Sequence, residues 1–413
     1  MSSGVASVSY ARARSGEALR SLRISDICLV FFAISSIAFD DGSLMSQLSR
    51  IAIVAGTFTE IGKQKMKLTG YHAWLVTFAV VVFISRYWAF GYSNAVEIFT
   101  TVLFNLVCLS CVVFLLYRDK RRIRLVMGCM ILAPVILYAR VIVTAGVFAF
   151  LNSRGTGSIS ANIVGMFSAF GMFMAYGFYR ENKGVGWWVL ILINLCIALL
   201  SASRKAIMVI ALVALLLVIL DYETRDALGK FAKVAVVAAL LCFAAVLVMN
   251  VPLLYNLVGV RMEGMINGML GLGTAVDAST ATRMNLVAYG IEWFSERPIL
   301  GFGGDNFRVL MGVYHPGVTS YYAHNNYIEL LVSYGLVGTF AYYFLYVRML
   351  LKGFSNRKSL TFTGLTVLCL VVGLLIMDYG MVEYYSRSAQ IFIALAWSVL
   401  VGLCGDGQKE QPA

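Results

Sequence analysis

A chain of 413 residues that is 60% hydrophobic and only 13% charged has too few polar residues to coat a water-soluble fold. Its apolar runs approach the roughly 20 residues needed to cross a bilayer and recur along most of the length, which points to one polytopic transmembrane domain. The runs are continuous rather than alternating, against a β-barrel, and the net charge of +12 sits in short clusters between runs, as positive-inside topology requires without any nucleic-acid partner.

In chain order, residues 1–23 read as a basic cytoplasmic tail carrying Arg12, Arg14, Arg20 and Arg23, with no cleavable signal-peptide pattern. Spans 1–9 fill 24–251, at about 24–39, 44–61, 72–90, 95–117, 125–150, 161–179, 187–202, 206–220 and 231–251. Lys63, Lys65 and Lys67, then Arg118 to Arg122, then Arg180 to Gly186 and Asp221 to Lys230, mark cytoplasmic returns. Residues 252–323 form a large extracytoplasmic loop. In it, T-R-M-N-L-V-A-Y-G-I-E-W-F-S-E-R has apolar residues at helical spacing and predicts an amphipathic helix at the membrane interface. Spans 10–12 fill 324–404, at about 326–347, 359–377 and 388–404, and 405–413 is a cytoplasmic tail. The expected fold is an all-α integral membrane protein with about twelve transmembrane helices and one large extracytoplasmic loop.

The eight cysteines lie in or beside apolar runs, and Cys108-x-x-Cys111 reads as small apolar residues packed inside a helix rather than a metal or redox pair. On this topology every lysine but Lys205 faces the cytoplasm. The outer half instead holds Arg50, Arg86, Arg140, Arg154, Arg204, Arg261, Arg283, Arg297, Arg308 and Arg387. Arginine near a span is costly and calls for a buried partner or an aqueous cavity. Its rigid donor fork suits phosphate oxygens, so the set points to an anionic, phosphorylated ligand. Pairing with Asp40, Asp41, Asp378 or Glu383, or snorkelling to headgroups, is the competing explanation for any single arginine. Arg204, in S-A-S-R-K at a tight outer turn where a helix begins, is the sharpest case, because a helix N-terminus adds its own anion-binding N–H groups.

The stretch from Arg297 to Gly338 is polar and glycine-rich and carries two of the chain's three histidines. His324 precedes a helix starting at Asn325 or Asn326; Asn326 is expected to cap it, with Glu329 completing a capping-box arrangement. The helix dipole there keeps the imidazole neutral and able to accept a proton, which makes His324 the candidate general base. His315 lies in a loop before Pro316 without the further ligands a metal site needs. Gly301, Gly303 and Gly304 follow no strand, as a dinucleotide fold would require, and read as a turn bringing the loop back to the interface.

R-P-I-L-G-F-G, then H-N-N-Y-I-E-L-L-V-S-Y-G-L-V-G leading into a span, S-x-S-R after an apolar helix, and Arg283 with Trp293 downstream together resemble the O-antigen ligase and polymerase superfamily. Ser333-Tyr334 stands where many members carry an acid. The resemblance implies a GT-C-like membrane fold in the bacterial inner membrane with its active site on the extracytoplasmic side. It implies a metal-independent, inverting glycosyltransferase without a cofactor, acting on undecaprenyl-diphosphate-linked oligosaccharide. Arg204 and Arg283 would hold the pyrophosphate and His324 would activate the acceptor, with Asn325, Glu329, Gly301 and Gly303 in support. The expected activity is that of a polymerase of O-antigen, capsule or exopolysaccharide, with membrane lipids and a chain-length regulator as partners. The alternatives are a ligase delivering glycan to lipid A–core, and a flippase or transporter of the same lipid-linked glycan. Transporters are commonly built from internal repeats with a midplane site; no repeat is evident, and the most polar loop is external.

Overall fold

The computed structural model describes residues 22–63, 67–152, 155–156, 159–221, 226–252, 255, 259–260, 262–264, 267, 278–316 and 321–403. The expectations for the tail before residue 22, Lys65, Arg154, Arg261, Cys404 and the C-terminal tail lie outside the described residues.

Helices stand at every position where a span is predicted: α1 (Ile24–Ala38), α2 (Leu44–Phe58), α3 (Gly70–Ser85), α4 (Tyr92–Leu116), α5 (Lys120–Ala145), α6 (Ala161–Asn182), α7 (Gly186–Leu200), α8 (Arg204–Leu220) and α9 (Ala227–Asn250). After the segment 251–325, which contributes α10 (Ala278–Glu296) and α11 (Asn306–Tyr314), come α12 (Asn326–Ser355), α13 (Phe362–Asp378) and α14 (Arg387–Trp397). By length and composition α4, α5, α6 and α12 are long and apolar enough to cross a membrane, while α1, α2, α7, α13 and α14 are shorter apolar helices. A two-residue antiparallel pair, Gly155–Thr156 with Ile159–Ser160, is the exception to the all-helical expectation among the described residues.

Two boundaries differ from the sequence expectation for a local reason. The basic run Lys120 to Arg122 is not loop but the first turn of α5, because Asp119 caps it, accepting from the amides of Arg121 and Arg122 at 3.0 Å each. Arg122 is thereby driven inward. Its Nε meets Asp26 Oδ1 at 2.7 Å and its Nη2 meets Glu60 Oε2 at 3.4 Å and Ser25 Oγ at 2.8 Å, a buried network joining α1, α5 and the end of α2. Likewise Arg204 and Lys205 open α8 rather than sit in a turn before it, since Ser203 caps the helix by accepting from Ala206 N.

α13 is apolar around its circumference, and α13 and α14 are buried along nearly their whole length with α6. A second, smaller core lies among α10, α11 and the start of α12. Trp293 of α10, Phe307, Leu310 and Met311 of α11, Phe302, and Ile328 and Val332 of α12 pack together, with Trp293 and Phe307 in T-shaped contact at 5.1 Å. The tryptophan downstream of Arg283 is therefore the anchor that fixes α10 to the rest. α10 gives Leu286 and Trp293 to this core, and it is the helix expected from the T-R-M-N sequence.

The glycine-rich run locks α10 and α11 onto α12. At Gly335 the helix breaks, with φ 61° and ψ −161°, a conformation open essentially to glycine alone. The carbonyls and amides freed there are taken up by the run: Phe302 N donates to Val332 O and Gly303 N to Ser333 O, while Leu336 N donates to Pro298 O, each at 2.8 Å, and Val337 N to Ile299 O at 3.2 Å. Every backbone group named here is paired, the condition for irregular chain beside a membrane helix. The expected turn toward the interface is in fact a strap inserted into a broken helix.

Candidate active site

Three helices begin at the wall of one cavity of about 850 Å³: α6 with Ala161 and Asn162, α8 with Ser203, Arg204 and Lys205, and α12 with its cap Asn325. Each start is capped by a side-chain oxygen, Ser160 for Asn162 N, Ser203 for Ala206 N, and Asn325 for Tyr327 N and Ile328 N. Three helix N-termini superpose their partial positive charges on the cavity. Arg283 reaches the same wall from α10, so among the described residues the lining carries the cations Arg204, Lys205 and Arg283 and no carboxylate. Ser203 Oγ donates to Asn162 Oδ1 at 3.0 Å, which fastens the starts of α6 and α8 to each other. The remaining wall is apolar, made by Met208, Met284, Val287, Ile291, Leu375 and Ile376 among others. Met284 and Ile291 are more than half exposed.

His324 lines this cavity as well. It sits in the left-handed region at φ 51°, with its ring 4.0 Å from that of Tyr322. Burial, and then the charges of Arg283 and Lys205, hold the imidazole down to about 4, from an ordinary 6.5. The neutral form is thus favoured as the sequence predicts, though chiefly by burial. His315, by contrast, caps the end of α11 and stacks on Tyr289 at 3.9 Å, outside the cavity lining.

The capping expectation needs correction. The cap of α12 is Asn325, not Asn326, and Glu329 makes no capping box with either. Glu329 is fully buried and accepts from Ala323 N at 3.0 Å and from Ser333 Oγ at 3.4 Å. Asn326 is freed to tie helices together: its Nδ2 donates to the Tyr343 hydroxyl at 2.9 Å and Asp378 Oδ2 at 3.3 Å, and its Oδ1 accepts from Glu383 N and Tyr384 N. Gly301 and Gly303 do not line the cavity; they belong to the strap, where a Cβ on Gly301 would meet Val332 O at 2.5 Å and one on Gly303 would meet Ala89 Cβ at 2.5 Å.

The arginines that the sequence groups together divide. Arg50 and Arg387 each pair with Asp41 at 3.1 Å, and Arg140 pairs with Asp40 at 3.4 Å, so these three are structural and the idea of one convergent set gives way to a smaller one. Arg204 and Arg283 remain in the cavity. Lys205 joins them with its ammonium on Gly380 O, and sequence reasoning had passed it over although it shares the first turn of α8 with Arg204. Asn162 and Tyr327 were also missed, because nothing local to either residue marks it as facing a cavity.

Among the curated proteins no relative matches the chain. Residues 189–343 match the family model described as O-antigen ligase. That stretch includes Arg204, Lys205, Arg283, the strap, His324 and Glu329, and over it the resemblance to the O-antigen ligase and polymerase superfamily holds, in a multi-pass membrane protein.

Proposed function

We propose that this chain is a polymerase of a bacterial surface polysaccharide, an inverting and metal-independent glycosyltransferase of the inner membrane whose cavity opens on the extracytoplasmic side. The observation that carries the reading is the meeting of Arg204, Arg283 and His324, far apart in sequence, on one cavity wall. The donor is a growing glycan on undecaprenyl diphosphate and the acceptor a new lipid-linked repeat unit. His324 takes the proton of the acceptor hydroxyl as its oxygen attacks the anomeric carbon, and the bond from that carbon to the diphosphate oxygen breaks on the opposite face. Arg204, Arg283 and Lys205, with the three helix starts, stabilise the charge that develops on the departing diphosphate. The apolar wall suits the first isoprene units. With twelve spans both termini are cytoplasmic, and α10 lies at the interface.

The description of the matched family favours one second reading, a ligase that moves the glycan to lipid A–core. Purified protein given lipid-linked repeat units as sole substrate separates the two. Laddered products are expected for the polymerase, whereas product formed only after lipid A–core is added would reject it. In the same assay Arg204→Ala and Arg283→Ala are each expected to weaken donor binding by about 10- to 100-fold, the worth of a charged hydrogen bond to phosphate. Transfer by both variants at the wild-type rate and wild-type KM would dismiss the diphosphate assignment.

A further inference from the structure

The left-handed turn at His324 is held from both sides by side chains of the helix that follows it. A residue with a Cβ leaves that region unless its flanks are fixed. On the C-terminal flank Asn325 is fixed as the cap of α12, accepting from Tyr327 N at 3.0 Å and Ile328 N at 3.2 Å. On the N-terminal flank the amide of Ala323, itself buried, donates to Glu329 Oε2 at 3.0 Å. Glu329 has no capping role that would explain a fully buried carboxylate at this place, and its second oxygen is steadied by Ser333 Oγ at 3.4 Å.

We propose that Glu329 is a positioning residue: its carboxylate pins the Ala323 amide and so holds the turn that presents the His324 imidazole to the cavity. This rests on the reading of His324 as the general base. Without the acceptor the Ala323 N–H is buried unpaired, the turn relaxes toward ordinary backbone angles, and the imidazole leaves its place. The cations that bind the donor stand on other helices, α8 and α10, and stay where they are. The loss therefore falls on turnover and not on donor binding.

The experiment uses the full chain with lipid-linked repeat units. Glu329→Ala is expected to lower kcat by about 10- to 100-fold, the cost of a small misplacement of a reacting group, while KM for the donor stays within about threefold. Glu329→Gln keeps both the reach and an acceptor oxygen, and it recovers most of the turnover. Glu329→Asp keeps the charge but is one methylene too short for the Ala323 amide, and it stays low. The order Gln above Asp carries the test even where the Ala variant cannot be recovered from membranes. Asp equal to or above Gln, or a raised KM at unchanged kcat, overturns the role of Glu329. His324→Ala measured alongside separates the two levels: if it retains transfer, the reading of the base fails; if it loses transfer while Asp exceeds Gln, only the positioning role fails.

Discussion

His324→Ala is expected to cut glycan transfer by about 10²- to 10⁴-fold, the usual worth of a general base, with the protein still inserted and still binding donor. Transfer measured on detergent-purified or bilayer-reconstituted protein decides this, and a variant as active as the wild type would remove the base. The same variant separates an enzyme from a flippase, which would go on translocating lipid-linked glycan with His324 gone. The pH profile gives a second handle. Burial and two neighbouring cations disfavour the imidazolium, so the free protein keeps its neutral base until the pH falls to about 4. The acid limb of kcat/KM should therefore lie well below the ordinary histidine value. Arg283→Gln removes one of the cations, which lets the imidazolium form more readily and moves that limb to higher pH. A limb that stays put, or moves the other way, would show that Arg283 does not act on His324.

The second large effect is structural. Gly335→Ala places a Cβ in a glycine-only region and against the backbone of Ile299, with Leu300 N at 2.6 Å. Gly301→Ala does the same from the other side, at φ 66° and with Ser333 C and Tyr334 N both at 2.7 Å. Neither neighbour is a flexible side-chain tip, so the strap must leave the helix. The cost is about 1–3 kcal/mol of backbone strain, to which each interlocking hydrogen bond that is lost adds about 0.5–1.5 kcal/mol. Both variants should show a lowered melting temperature or a reduced monodisperse yield. Gly128→Ala in α5, where nothing lies within 4 Å of the new Cβ, is the control and should be neutral or slightly stabilising. A wild-type melting temperature for Gly335→Ala would refute the interlock.

Helix positions were legible from hydropathy because each long apolar run can satisfy its own backbone only as a helix, a constraint that acts locally. His324, Arg204 and Arg283 were legible because a base or a cation beside a span is costly enough to stand out. Their shared cavity was not legible, since it arises from α6, α8, α10 and α12 meeting in space. The pairing of Arg50, Arg140 and Arg387 with Asp40 and Asp41 was hidden for the same reason. The cap at α12 was misassigned by one residue because Asn325 and Asn326 are chemically alike, and only the tertiary partners of Asn326, from Tyr343 to Glu383, decide between them. The break at Gly335 left no trace in the apolar pattern, which runs through it without interruption.

That break is bridged from both sides. Leu336 and Val337, at the start of the stretch 336–355, are fastened to the strap, as are Val332 and Ser333 before the break. Asn326 reaches across it to Tyr343 and to Asp378 at the end of α13. A helix longer or shorter than the local hydrocarbon thickness adjusts by tilting. Here a tilt of 336–355 is carried over Gly335 to the turn that holds His324, so the two segments act as one lever. Turnover should accordingly pass through an optimum across a series of reconstituted bilayers of different acyl-chain length, and a flat response would mean that the break uncouples them.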